Sequence, residues 1–318
     1  MKYRFITIVH NLVLPRKEMT ISLAQGFLSN CSSILQETFN NELTAYTLGS
    51  HSIDEFEGQT YFYIDGDFAE GYTQSTVDKF GTKLTFAFLR VIQDYVERLW
   101  FLEDNSVYIR DGFLYTYEKR ISDGYTFKGS LSAIFSKANG IIEPSVISQE
   151  SLESQSSDMF VIMPESISPQ IDNFKDATQS HFWRKNKVER KLRAWGHIQL
   201  ARIQPQTPLK MMLYTMALES LLGTSTTELS HRLAERSAIM LGTNRDERIE
   251  IYSTIKKSYD NRSTIAHGDL LKDDSHFSER VVKIDEYLRK LMSFEEPYNK
   301  ENSEIDKFFI EKIMSSKG

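Results

Sequence analysis

The chain has 318 residues, of which 40% are hydrophobic and 26% are charged, and its formal net charge is −6 at pH 7. This composition is typical of a globular protein with room for two domains, and it excludes a fibrous or largely disordered chain. The acidic balance argues against a protein whose whole surface attracts nucleic acid, but it leaves room for a local basic patch.

The single cysteine, Cys31, excludes a disulfide within the chain and a cysteine-based metal cluster, so we expect a reducing, cytoplasmic environment. No apolar run in the sequence approaches the roughly 18 residues that a membrane-spanning helix needs. The run FITIVHNLVL is too short for a span and lacks a small-residue cleavage site, so it predicts a strand and no membrane association.

The first third of the chain is predicted to be mixed α and β structure. Residues 2–13 are rich in Phe, Ile and Val, and residues 60–65 alternate Tyr61 and Tyr63 with the more apolar Phe62 and Ile64. Both patterns predict strands. Gly66 then predicts a turn. In residues 75–100 apolar side chains recur every three or four positions, which predicts one long amphipathic helix.

Further strands are predicted after this helix. Segments 106–109 and 113–117 flank Asp111-Gly112, a pair that suits a tight hairpin turn, and segments 125–131 and 159–163 are β-prone. Residues 145–158 are rich in serine and predict a flexible connector or an exposed loop. We therefore predict an α+β domain over 1–165, with an unassigned sensor or regulatory role that implies a regulatory partner or ligand, and an all-α domain over 166–318.

Helix signals dominate the second domain. The first helix is predicted over 171–203 with a possible break at Gly196, and the next runs from Pro208 to a stop at Gly223. Later helices are predicted over 227–241, 244–268, 275–293 and 305–314. Short connections between these helices favour an up-and-down bundle.

A basic run opens the helical domain. Its members lie close to Trp183 and Trp195, and they are Arg184, Lys185, Lys187, Arg190, Lys191, Arg193 and Arg202. Such a run could grip a phosphate backbone while an aromatic ring stacks on a base, which makes the first six residues RNA-binding candidates. The alternative is a solvated helix face whose aromatic residues point inward.

The segment YDNRSTIAHGD, residues 259–269, combines an arginine, a histidine and a helix stop. Arg262 and His267 are predicted to lie at the end of the helix over 244–268, with Gly268 as the left-handed residue that follows it. Imidazole titrates near neutral pH and can act as a general base, and guanidinium can bind two phosphate oxygens at once. The segment therefore suits phosphodiester chemistry without a metal or a cofactor.

Residues five apart on a helix differ by about 140° in azimuth and roughly 7.5 Å in height. Arg262 and His267 therefore cannot form a complete site on one helix, which suggests a second copy across a dimer axis. The alternative is that both residues cap carbonyls or pair with a nearby carboxylate.

The segments MALESLLG, ELSHRLAERSAIMLG and YDNRSTIAHGD resemble the HEPN superfamily (higher eukaryotes and prokaryotes nucleotide-binding), most closely its ApeA-like branch. The resemblance implies a helical bundle and a metal-independent endoribonuclease site that forms between two bundles, with Arg262 and His267 as its catalytic residues. Active members commonly have Asn, Asp or His after the arginine. Ser263 stands there in this chain, so it keeps a hydrogen bond but loses the stronger polar group.

Other polar residues could support or oppose this site. Glu219 lies among apolar neighbours and could orient Arg262 or Arg236, because a buried carboxylate needs a partner. Asp269, Asp273 and Asp274 could instead neutralise Arg262. His231 and Glu235 have metal-ligand spacing on one helix face but lack a third ligand, so a salt bridge to Arg232 or Arg236 is the favoured interpretation.

Two functions remain open from the sequence. The first is a homodimeric ribonuclease that cleaves RNA to a 2′,3′-cyclic phosphate and acts as a toxin or antiphage-defence effector, as the resemblance implies. The second is a non-catalytic module that binds nucleotide or RNA, or that assembles with another protein.

Overall fold

A computed structural model describes residues 1–39, 53–159, 161–164, 189–269 and 275–315. Its first half holds an antiparallel sheet and its second half a series of helices, so the fold is α+β. The chain divides into two compact units, Met1–Phe135 with Ile142–Asn173 and Ser136–Ile141 with Phe174–Gly318. None of the helices in the described ranges has the length and apolar character needed to cross a membrane.

The first unit is built on a six-stranded sheet with strand order β3-β4-β5-β1-β6-β7, and every pairing in it is antiparallel. A short parallel pair, β2 with β8, lies outside it. In chain order the strands are β1 (Lys2–His10), β2 (Leu12–Val13), β3 (Thr20–Ser22), β4 (Phe27–Ser29), β5 (Tyr61–Asp67), β6 (Tyr108–Tyr117), β7 (Tyr125–Ser130) and β8 (Ser145–Val146).

In the described part of the first unit, four α-helices accompany the sheet: α1 (Ser32–Phe39), α2 (Gln74–Val77), α3 (Gly81–Arg98) and α4 (Gln149–Ser156). Strand β1 is one of the two central strands and is buried on both faces, which explains its largely apolar sequence. On one face Phe5 packs against Phe88 of α3, with ring centroids 5.3 Å apart. On the other face Ile6 and Ile8 join an aromatic cluster that includes Phe39 and Phe56.

The predicted hairpin turn at Asp111-Gly112 is wrong, because both residues lie inside the single strand β6. A Cβ at Gly112 would stand 2.8 Å from Leu89 Cδ2 and 2.8 Å from Phe5 Cζ, so the glycine makes room for α3 against the sheet. Gly66 likewise lies within β5 and not in a turn, since the ring of Tyr3 occupies the space beside it.

Three further predictions for the first unit need correction. The helix predicted over 75–100 is interrupted by a turn at 78–80, which separates α2 from α3. The serine-rich segment 145–158 contains β8 and α4. Ser148 caps the start of α4 by accepting a hydrogen bond from the Ser151 amide. The described part of 159–163 forms no strand; Gln25 instead bonds the amide and the carbonyl of Ile162 through its side chain.

The second unit contains helices α5 (Arg190–Ile203), α6 (Thr207–Leu222), α7 (Leu229–Leu241), α8 (Arg245–Ala266), α9 (Phe277–Ser293) and α10 (Asn302–Ser315). Helices α5, α7, α8 and α9 all pack on α6, whose apolar residues are spread around its circumference, as expected of a central helix. The helices predicted from Pro208, over 227–241, 244–268 and 305–314 are confirmed to within a few residues. Gly196 does not break α5, and the part of the predicted first helix before residue 189 lies outside the described residues.

The segment Ser136–Ile141 belongs to the helical unit, although the sequence prediction placed it in the first domain. The Ser136 amide donates to the Arg202 carbonyl at 2.8 Å. The buried ammonium of Lys210 donates to the carbonyls of Ser136 and Ala201 at 3.2 and 2.9 Å. These hydrogen bonds hold the segment against the end of α5.

Candidate functional site

The site begins with helix α8, whose two ends are both hydrogen-bonded. At its start the Asn244 side chain accepts from the Glu247 amide at 3.0 Å. At its end the Gly268 amide donates to the Ile265 carbonyl at 3.1 Å and the Asp269 amide to the Thr264 carbonyl at 3.0 Å. These two hydrogen bonds, together with Gly268 at φ +76°, form a Schellman motif.

The Schellman motif determines where His267 lies. His267 is the last residue before Gly268, and its amide donates to the Ser263 carbonyl at 3.1 Å. Its side chain is exposed to solvent at the end of the helix. The backbone is therefore held in place while the imidazole stays accessible.

Arg262 lies on the opposite side of α8, toward the central helix α6. Its Nη2 is 3.7 Å from Glu219 Oε1, and its guanidinium lies 5.7 Å from the centre of the Tyr259 ring. The arginine side chain is 31% exposed and the glutamate side chain 24% exposed. Arg262 therefore reaches solvent while it is paired with a partly buried carboxylate of α6.

Glu219 is the less satisfied member of this pair. Its Oε1 is buried and has no hydrogen-bond partner in the described residues, because 3.7 Å is too long for a hydrogen bond. Burial raises the pKa of Glu219, and the positive charge of Arg262 opposes that rise. Arg236, the other partner expected for Glu219, bonds Asp306 of α10 instead.

Ser263 lies between the two motif residues around the helix axis. It is partly buried, and it precedes His267 by four residues, so the two side chains share a face. From ideal helix geometry, Arg262 and His267 are about 140° apart in azimuth. One copy of α8 therefore presents the imidazole and the guanidinium in different directions.

Half of the predicted RNA-binding run lies outside the described residues, namely Arg184, Lys185 and Lys187. The Arg190 guanidinium donates to the Gly223 carbonyl at 2.7 Å and to the Ser220 carbonyl at 3.2 Å. It thus caps the end of α6, which no sequence pattern indicated. Lys191 lies over the Tyr298 ring at 5.6 Å, and Arg193 is partly buried; an RNA contact for these residues stays a prediction.

The acidic residues near the motif do not pair with Arg262 as far as the structure describes them. Asp269 contributes its amide to the helix end, whereas Asp273 and Asp274 lie outside the described residues. His231 bonds the hydroxyl of Tyr252 at 2.8 Å, through Nδ1, and not Glu235 or an arginine. Within the described ranges, no three acidic, histidine or cysteine side chains are grouped closely enough to hold a metal ion.

A groove of about 510 Å³ runs between α8 and α9, and sequence reasoning did not predict it. Its walls carry charges of both signs, including Lys257, Lys283, Glu250 and Glu279, and two of these, Lys283 and Glu250, bond each other. The contact between Arg262 and Tyr259 was also not predicted, although residues three apart on a helix lie on the same face.

Comparison with known proteins does not assign this chain to a family. No protein-family model, curated protein or solved structure matches this chain. What the site does must therefore be inferred from its own chemistry.

Proposed function

We propose that the helical unit is a metal-independent endoribonuclease whose active site is completed by a second copy of the chain. One observation carries this proposal: an exposed imidazole, His267, is fixed at the end of the helix that also carries Arg262. A base and a fixed cation are the two groups that 2′-hydroxyl attack on a phosphodiester requires when no metal takes part.

In the proposed reaction His267 accepts the proton of a ribose 2′-hydroxyl. The 2′-oxygen attacks the adjacent phosphorus, and Arg262 stabilises the negative charge that builds on the non-bridging oxygens. The bond from phosphorus to the 5′-oxygen then breaks, and His267 of the second copy donates a proton to that oxygen. The products are a 2′,3′-cyclic phosphate and a 5′-hydroxyl.

The need for a second copy follows from the direction of the side chains. Because Arg262 and His267 are about 140° apart around α8, the side chains of one helix cannot enclose a phosphate from both sides. A two-fold axis beside the end of α8 would bring each arginine opposite the histidine of the other copy.

The biological role that we propose is that of an effector in a toxin or antiphage-defence system. It is supported by the resemblance of the segments around Glu219, His231 and Arg262 to the HEPN superfamily. In this proposal the first unit regulates the helical unit or senses a trigger.

Incubation of the purified full chain with mixed RNA in EDTA tests the proposal. We expect cleavage by the wild type, new ends that carry cyclic phosphate, and loss of at least about a hundredfold in rate for His267→Ala and for Arg262→Ala. Arg245→Ala and His231→Ala are the matched controls, since Arg245 is exposed at the other end of α8 and His231 is exposed on α7.

Equal cleavage by all five proteins would identify a contaminating nuclease and contradict the proposal. Binding of RNA without cleavage, unchanged by His267→Ala, would instead favour a non-catalytic RNA-binding module. The melting temperature of each variant, measured alongside, separates lost chemistry from lost folding.

A further inference from the structure

We propose that Arg262 and Glu219 form a proton-coupled receptor for a phosphate group: as the guanidinium leaves Glu219 to bind phosphate, the Glu219 carboxylate takes up a proton from solvent. This inference rests on the proposed function insofar as Arg262 is the phosphate-binding group. It adds a regulated step, because binding would then depend on the protonation of a partly buried residue of α6.

The pairing of the two residues is loose enough to be exchanged. At 3.7 Å the charges attract each other without a hydrogen bond, so release of Arg262 breaks none. A phosphate offers two oxygens that guanidinium can bind in parallel, which makes it the stronger acceptor. Since Arg262 is partly exposed, its guanidinium can reach such a ligand from its place over the Tyr259 ring.

Withdrawal of Arg262 would leave Glu219 with an uncompensated charge. Its Oε1 is buried, and no described residue donates a hydrogen bond to it. A partly buried carboxylate without a partner is destabilising, and protonation removes that destabilisation. Burial already raises the pKa of Glu219 above its ordinary 4.5, and loss of the opposing charge of Arg262 raises the pKa further.

Two other arginines that lie near α6 have partners of their own. Arg190 of α5 donates to carbonyls at the end of α6, and Arg236 of α7 bonds Asp306. The remaining titratable or charged groups on the four helices packed against α6 include Arg193 and His197 of α5, Tyr259 of α8, and Arg280 and Asp285 of α9, the last of which bonds Arg289. Among the described residues, Arg262 supplies the one charge that shifts the pKa of Glu219.

Isothermal titration calorimetry with a short 2′-O-methyl RNA oligonucleotide tests the inference, because this ligand carries phosphodiesters but no 2′-hydroxyl to react. All proteins carry His267→Ala, which removes the exposed imidazole as a second proton acceptor. Heats measured in buffers of different ionisation enthalpy report the protons taken up on binding. We expect net uptake, and an affinity that rises as the pH falls, by up to about tenfold per pH unit where Glu219 titrates.

Two variants test whether Glu219 is the residue that takes up the proton. Glu219→Gln is expected to bind with little dependence on pH and without the uptake, whereas Glu286→Gln should keep both, since Glu286 is exposed and pairs with Lys290 on the surface of α9. Equal proton uptake by Glu219→Gln and its parent, or no uptake by the parent, would overturn the inference. Binding that is unchanged by Arg262→Ala would overturn it as well.

The outcome is separable from that of the proposed ribonuclease activity. Proton-linked binding in a protein that does not cleave RNA would leave the receptor in place and refute the enzyme. Cleavage by the wild type without proton uptake would support the enzyme and refute the receptor.

Discussion

Nη2 of Arg262 lies 3.7 Å from Oε1 of Glu219, which joins the motif helix α8 to the central helix α6. The arginine charge is therefore already engaged within one subunit before any ligand binds. This pairing links the stability of the bundle to the chemistry proposed for its surface.

The first prediction concerns stability as a function of pH. Because the folded-state pKa of Glu219 is raised, its ionised form destabilises the fold, and that destabilisation appears only as the pH rises above the ordinary 4.5. Arg262→Ala should remove the compensating charge and lower the free energy of unfolding at pH 8 by about 1–3 kcal/mol. Urea unfolding at pH 8 and near pH 4.5 measures the difference.

At the lower pH the loss for Arg262→Ala should shrink toward that of the control, Arg245→Ala. An equal loss at both pH values would show that Glu219 is not the residue that Arg262 compensates.

A second prediction concerns the turn that positions His267. Gly268 has φ +76°, and an added Cβ would meet nothing within 4 Å, so a substitution there acts through the backbone alone. Gly268→Ala should lower the free energy of unfolding by about 1 kcal/mol, and Gly268→Asn by less, since Asn tolerates the left-handed conformation. Chemical denaturation of the three proteins provides the comparison, and an Asn variant weaker than the Ala variant would contradict the explanation.

A third prediction uses the single cysteine to examine the proposed dimer. In a Cys31→Ser background, Ser263→Cys places a thiol next to His267 on the face expected to meet a second copy. A short bis-maleimide should then yield a covalent dimer, detected by denaturing electrophoresis. Arg245→Cys serves as the control, because it lies about 27 Å away along the same helix.

Equal cross-linking at both positions would indicate random collision. A chain that stays monomeric with Ser263→Cys would remove the second copy from the proposed site.

A fourth prediction addresses the packing in the first unit. Gly112→Ala would bring a Cβ to 2.8 Å from both Leu89 and Phe5, so we expect a loss of about 1–3 kcal/mol in the free energy of unfolding. Gly196→Ala is the opposite case, because its Cβ would meet nothing within 4 Å inside helix α5, and it should stabilise the protein by roughly 0.5–1 kcal/mol. Thermal unfolding of both variants checks the two signs.

Sequence patterns predicted those features that depend on residues close together in the chain. Asn244 and Gly268 mark the two ends of α8 because capping involves residues within one turn of each other. Gly112 misled because glycine serves tight turns and close packing alike, and only the position of Leu89 distinguishes them. Glu219 pairs with Arg262 and not with Arg236 because of the way the helices pack. That packing cannot be predicted from the sequence of any one helix.

The central claim, that two copies share one active site, is tested most directly by mixing subunits. Wild type is exchanged with an equal amount of the Arg262→Ala, His267→Ala double variant, and RNA cleavage is measured in EDTA. The reference is wild type alone at the same total protein concentration. If each site needs groups from both copies, about a quarter of that activity remains, since only about a quarter of the dimers contain two wild-type copies. Retention of about half the activity would show that each copy acts alone and would contradict the shared site.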